Sequence, residues 1–141
     1  MAAAQEQTIP KTVTVCPRCF TTNVNSPALG DTQPDVGLGV DKILPRSINV
    51  LHELFHLMIG NPDTDDAAYN WKQQQDRLND PDTTDDDKFK PNLQLIRENP
   101  ESYAWFTVGY WYFQQTNRQG WNVASNRRWS FQSGVGELIQ I

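Results

Sequence analysis

A chain of 141 residues with 38% apolar side chains can bury a core without needing metal or disulfides to do so. Its 12 Lys and Arg stand against 17 Asp and Glu, and a net charge of −5 argues against nucleic-acid or anionic-membrane partners, which reward basic patches. No apolar run approaches the ~20 residues that cross a bilayer. The start, Met1 to Gln7, has neither the basic flank nor the apolar stretch of a signal peptide.

The pattern reads as one domain spanning 1–141, of α+β class and mainly helical. Residues 1–8 are expected to be a flexible tail. Thr12, Val13, Thr14 and Val15 are β-branched or strand-favouring and stop at Cys16-Pro17, which predicts a short strand over about 9–15. Cys16 and Cys19 form a C-x-x-C, half a zinc ribbon with no second half in the chain, and a structural role is expected of them. From Arg18 to about Lys42, Asn, Ser, Pro, Gly and Asp predominate and predict a long irregular loop.

Pro45 suits the first turn of a helix, where its missing N–H costs nothing. Ile48, Leu51, Phe55, Met58 and Ile59 then recur at helical spacing. Gly60 can take the positive-φ end position and Pro62 prevents continuation. A helix over about 45–59 is therefore predicted, followed by the acidic loop Asp63 to Asp66 and a second helix over about 67–78. Residues 79–91 read as a solvated acidic loop without the spacing of an EF-hand. Leu93, Leu95 and Ile96 begin a third helical region in which Pro100 starts a new helix. Tyr103, Phe106, Val108, Tyr110, Trp111 and Phe113 make that helix apolar on most faces, hence expected to be buried. Residues 120–141 lack clear periodicity and predict an irregular or strand-like wrap.

The chemistry lies in the predicted helix over 45–59. His52-Glu53-Leu54-Phe55-His56 spells H-E-x-x-H and contains both histidines of the protein. Residues four apart share a helix face, so the two imidazoles can reach one metal ion, with Glu53 beside its open position as a general base. Zinc catalysis needs a third protein ligand. The extended metzincin pattern is absent, since Ile59 replaces its glycine and no third histidine exists. Two sets of acids are left: Asp63, Asp65 or Asp66 just past the helix, and the distant Glu98 or Glu101. Spacing favours the loop, with Asp66 ahead of Asp65, although both also suit N-terminal capping of the following helix.

His52-Glu53-Leu54-Phe55-His56 followed by Thr64-Asp65-Asp66-Ala67-Ala68-Tyr69 resembles the aspzincins, the deuterolysin and peptidyl-Lys metalloendopeptidase family, which follows H-E-x-x-H with G-T-x-D-x-x-Y-G. Val13 to Pro17 looks like the family's strand-plus-cysteine segment. Asn99-Pro100-Glu101-Ser102-Tyr103 is similar to its N-A-D-x-Y stretch. The resemblance implies a zincin-like fold, one Zn²⁺ on His52, His56 and Asp66, and a secreted endopeptidase acting on protein or peptide substrates as a monomer.

By the same resemblance Tyr69 is the tyrosine of the site, stabilising the oxyanion. Glu101 stands where the family places an aspartate that receives the substrate. The chain departs from the pattern at Asn70, where the family has glycine, and in the region before the zinc helix, which is shorter. Two alternatives stand beside it: a secreted zinc-binding or interaction protein on the same scaffold that does little or no chemistry, and an accidental motif in which His52 and His56 are core histidines of an aromatic-rich helical domain.

Overall fold

The computed structural model describes residues 2–5, 12–15, 28–31, 33–60, 66–85, 90–115 and 120–141. The elements are α+β and mainly helical, with strands that pair only as two-stranded antiparallel ladders among the described residues. The described helices include none long and apolar enough to cross a membrane. The chain packs as two compact units. The first comprises residues up to Thr22 and Ser47–Ala104, the second Asn23–Arg46 and Trp105–Ile141.

In the first unit, β1 (Ala2–Gln5) pairs with β2 (Thr12–Val15), Ala2 opposite Val15 and Gln5 opposite Thr12. Residues 2–5 are therefore a strand where a flexible tail was expected. Alanine has little strand preference of its own, but a β-branched neighbour offers a ready edge whose ladder bonds override it. Along β2 the half-buried Val13 and Val15 alternate with the exposed Thr12 and Thr14, the period of a strand with one covered face. The hairpin lies against α1 (Ile48–Ile59).

Helix α1 begins three residues later than the proline rule predicts. Ser47 is its N-cap, and the Ser47 carbonyl accepts from the N–H groups of Val50 and Leu51 at 3.0 and 3.1 Å. Gly60 ends the helix with φ 91°, its N–H donating to the His56 carbonyl at 2.9 Å. A side chain would be strained at that φ, and glycine is not. The expected apolar face is only partly covered: Ile48 and His52 are buried, while Met58 and Ile59 are exposed.

Helix α2 (Trp71–Asn79) starts four residues later than expected, at an Asn70 N-cap whose Oδ1 accepts from Gln73 N–H at 3.0 Å. The Gln73 side chain reaches back to accept from Tyr69 N–H at 2.8 Å. That exchange satisfies two amides at the helix entrance, in the manner of a capping box. Two short strands, β3 (Thr84–Asp85) and β4 (Lys90–Pro91), pair within the acidic segment expected to be loop. Helix α3 (Asn92–Glu98) packs with α2, and α4 (Pro100–Gln114) starts at Pro100 as predicted. Residues of α4 up to Ala104 belong to the first unit and those from Trp105 to the second.

The α3–α4 joint is closed by side chains of the first turn of α4. Ser102 Oγ donates to the Ile96 carbonyl at 2.8 Å and Tyr103 Oη to the Arg97 carbonyl at 2.6 Å. These carbonyls belong to the last turn of α3, where intrahelical partners run out.

In the second unit, β5 (Arg127–Ser130) and β6 (Glu137–Gln140) form a hairpin, the ordered form of the expected strand-like wrap. Residues 37–40 zip onto the segment before β6: Gly37 N–H to Gly136 O, Gly136 N–H to Leu38 O and Val40 N–H to Gly134 O lie between 2.8 and 2.9 Å. Gly136 must be glycine, because a Cβ there would meet the Asp35 carbonyl at 3.0 Å and the Phe131 and Trp129 rings at 3.2 and 3.3 Å. The core holds Val40, Trp105, Val108, Tyr112, Trp129 and Phe131. Tyr112 stacks on Trp121 with centroids 5.6 Å apart, and Trp129 on Phe131 at 6.3 Å. Of the apolar residues expected to bury α4, Val108 is inside, but Phe106 and Tyr110 are exposed; the buried stripe runs through Ala104, Trp105, Val108 and Tyr112.

Candidate metal centre

The site lies within the first unit and is built on α1 and on the segment leading into α2. One turn of α1 separates His52 from His56, so both rings project to one side, with Nε2 atoms 3.2 Å apart. Asp66 Oδ1 lies 3.1 Å from His52 Nε2 and 3.0 Å from His56 Nε2. The three atoms form a nearly equilateral triangle. Ligands of tetrahedral zinc at ~2.0–2.1 Å stand about 3.3 Å from one another, so the triangle approximates one face of that tetrahedron, drawn slightly inward. His52, His56 and Asp66 are a group that can hold a metal ion. Two imidazoles and a carboxylate are donors of the kind that hold divalent transition-metal ions.

The side chains of His52 and His56 are 10% and 16% exposed and that of Asp66 is 37%, so the centre opens to solvent on the aspartate side. Three atoms that each carry a lone pair converge here, and such an arrangement is stable only with a proton or a cation among them. Burial by itself would lower the pKa of His52. Hydrogen bonds to Asp66 and Glu101, with the charges of the same two carboxylates, outweigh burial and raise it to about 9. The hydrogen bond from His52 holds the Asp66 carboxyl below the usual carboxylate range against the opposing effect of burial. The charges of both histidines and a hydrogen bond from Tyr69 add to that lowering. A metal ion bound here would have to compete with that proton.

The backbone after Asp66 is held at successive residues. Arg77 Nε donates to the Ala67 carbonyl at 3.1 Å, and the buried Asn99 donates through Nδ2 to the Ala68 carbonyl at 2.8 Å. Tyr69 N–H is held by Gln73, as described above. Arg77 is itself fixed by Asn92, whose Oδ1 accepts at 2.6 Å and whose Nδ2 donates to the Asp80 carbonyl at 2.9 Å.

Of the residues expected at the site, His52, His56 and Asp66 come together. Asp66 does not cap α2, because Asn70 does, and its carboxylate is available to the metal. Asp63 and Asp65, the alternative loop ligands, and the cysteines Cys16 and Cys19 lie outside the described residues. Glu53 is half-buried on α1, between the two histidines in sequence. Tyr69 is exposed and its hydroxyl donates to Asp66.

The distal glutamates do not join the triangle. Glu98 pairs with Lys90 at 2.6 Å. Glu101 lies 3.2 Å from Nδ1 of His52, the ring nitrogen on the far side from the Nε2 that faces Asp66. Sequence reasoning missed Asn99, Arg77 and the true partner of Glu101. A local signal existed for the Asn70–Gln73 cap. The others act across 10 to 49 residues of chain (49 between His52 and Glu101) and leave no local trace.

No family model, curated protein or solved structure matches this chain.

Proposed function

We propose that this chain is a zinc-dependent endopeptidase of aspzincin-like, zincin-type architecture, working on protein or peptide substrates outside the cell. The observation that supports a metal centre is the closure of His52 Nε2, His56 Nε2 and Asp66 Oδ1 into a triangle with edges of 3.0–3.2 Å. The step from metal centre to peptidase rests on Glu53 between the two histidines and on the resemblance of the surrounding motifs.

Bound at these residues, zinc supplies a Lewis acid that polarises a carbonyl and makes water acidic enough to attack it near neutral pH. The chain's own part is proton transfer and charge stabilisation. Glu53 takes a proton from the attacking water and delivers it to the departing amine. Tyr69, exposed at the open side, donates a hydrogen bond to the developing oxyanion once it leaves Asp66.

One observation favours a second reading, a zinc-binding protein with little hydrolysis: the Tyr69 hydroxyl interacts with the ligand Asp66, a small contribution to that carboxyl's lowered pKa. Zinc stoichiometry and peptide cleavage measured together on the wild type, Glu53→Gln and Asp66→Ala separate the two. The peptidase reading expects Glu53→Gln to keep zinc and lose cleavage by at least the ~10²–10⁴-fold that a general base contributes. It expects Asp66→Ala to lose zinc. Stoichiometric zinc with no cleavage of any peptide by the wild type would leave the binding protein in its place.

A further inference from the structure

We infer that the joint between α3 and α4, Asn99 to Glu101, positions the metal ligands from outside: Glu101 orients His52, and Asn99 fixes the backbone that carries Asp66. The inference rests on the metal reading of the triangle but not on hydrolysis. It gives Glu101 a different task from the substrate-receiving one that the motif resemblance implies.

The geometry is specific at both ends of the joint. An imidazole bound to a metal through Nε2 carries its proton on Nδ1, and that N–H needs an acceptor that sets the ring's rotation. Glu101 Oε1 stands 3.2 Å from His52 Nδ1, with the glutamate side chain 15% exposed and the histidine 10%, so water competes poorly for the contact. The pair is close in distance but does not form a hydrogen bond as it stands, and the buried Nδ1 has no other hydrogen-bond partner. A negative charge at this place also makes the imidazole a better donor to a cation.

Two residues earlier Asn99 is fully buried, and its Nδ2 donates to the carbonyl of Ala68, two residues beyond Asp66. A ligand whose following backbone is held keeps its carboxylate near the triangle when no metal is present.

Both contacts leave from one short, stiff stretch. Pro100 between them has a fixed φ and is buried. Ser102 and Tyr103 fasten the same stretch to the last carbonyls of α3, and the Tyr103 ring stacks on Phe55 of α1 with centroids 5.0 Å apart. The histidine helix and the aspartate segment thus take their relative placement from a third segment that supplies no ligand. Outer partners of this kind are worth ~10–100-fold in metal affinity.

The test is zinc affinity by chelator competition, with the visible spectrum of the Co²⁺-substituted protein and the ¹⁵N-imidazole NMR of the zinc form. The proteins are the full chain and its Glu101→Gln, Glu101→Ala and Asn99→Ala variants. Glu101→Ala is expected to weaken zinc about 10–100-fold. The exchange-protected Nδ1–H signal of His52 should vanish in it, while the metal-free fold by circular dichroism is kept. Glu101→Gln, which retains an acceptor oxygen but no charge, should recover the Nδ1–H signal and part of the affinity.

Asn99→Ala is expected to alter the Co²⁺ spectrum through Asp66 and leave the His52 Nδ1–H in place. If the Asn99 variant does not fold, the two Glu101 variants decide. Wild-type zinc affinity and an unchanged Nδ1–H in Glu101→Ala overturn the inference and leave the metal centre standing. Failure of the wild type to bind zinc or cobalt overturns both.

Discussion

The two compact units hold themselves together by different means. In the second, large rings carry the packing: Trp129, Tyr112 and Phe131 are buried against one another, and a glycine gives way where the rings press closest. In the first, named hydrogen bonds to backbone carbonyls carry the placement, from Arg77, Asn92, Asn99, Ser102 and Tyr103. Packing of rings is tolerant in direction and costly in volume. Hydrogen bonds are the reverse, modest in net energy but strict in angle and distance. A metal centre needs placement to within a fraction of an ångström, and the polar unit is the one that contains the His52, His56 and Asp66 group.

The comparison breaks most sharply at Trp129. Trp129→Ala removes a fully buried ring and should cost about 3–5 kcal/mol of stability, read as a large fall in the denaturant midpoint. Zinc affinity, measured where the variant is still folded, should stay within a few-fold of wild type. A large loss of zinc affinity with the fold intact would show that ring packing, too, tunes the metal centre.

Metal removal and pH sharpen it next. In the metal-free protein His52 has its pKa raised from 6.5 to about 9. Its stabilising contribution is therefore complete below pH 6.5 and disappears as pH rises through about 9. The thermal midpoint in chelator should fall across that window. With excess zinc the trend should reverse, because metal binds the neutral imidazole and proton competition fades as pH rises. Parallel pH profiles with and without zinc would mean that His52 does not take the metal.

The smallest effect is expected at Lys90 and Glu98, an ion pair at 2.6 Å with side chains 25% and 20% exposed. Burial works against ionisation of Glu98, but hydrogen bonds from Lys90 and Gln94 and the Lys90 charge lower its pKa overall. Its contribution is present above the ordinary glutamate pKa and is lost as pH falls through the lowered value. Glu98→Gln should cost about 1 kcal/mol or less at neutral pH and shrink towards nothing in acid, measured by denaturant titration at two pH values. A cost of several kcal/mol would make this pair part of the polar framework rather than its margin.

Local chemistry made the metal helix legible. The i, i+4 histidines, the apolar spacing and Gly60 followed by Pro62 mark α1 and its end in the sequence, and the distance from His56 to the acidic loop points to Asp66. The start of α2 was misplaced because Asp65 and Asp66 compete with Asn70 as capping residues in the sequence, whereas only Asn70 has Gln73 three residues on to complete the exchange. The strand at residues 2–5 leaves no mark in the sequence because it exists through a neighbour, not through propensity. Glu101 was identified as a residue of the site, but its partner was not, since nothing near position 101 reveals that His52 lies beside it. The exposed aromatics of α4 show the same limit: composition marked that helix as apolar, and only packing decides which rings are inside.

The spacing of the triangle has a consequence for how the protein is made. His52, His56 and Asp66 are 4 and 10 residues apart, so an ion joining them closes a loop whose entropic cost grows only to about 2 kcal/mol. Bringing Glu101 to the same place closes about 50 residues and costs roughly 3.5 kcal/mol on that scale. A chain that has formed α1 already presents two of its ligands and can seize the ion while the rest is unfolded. An ion taken up there would close the short loops at a lower entropic cost than the long-range contacts of Asn99 and Glu101 require.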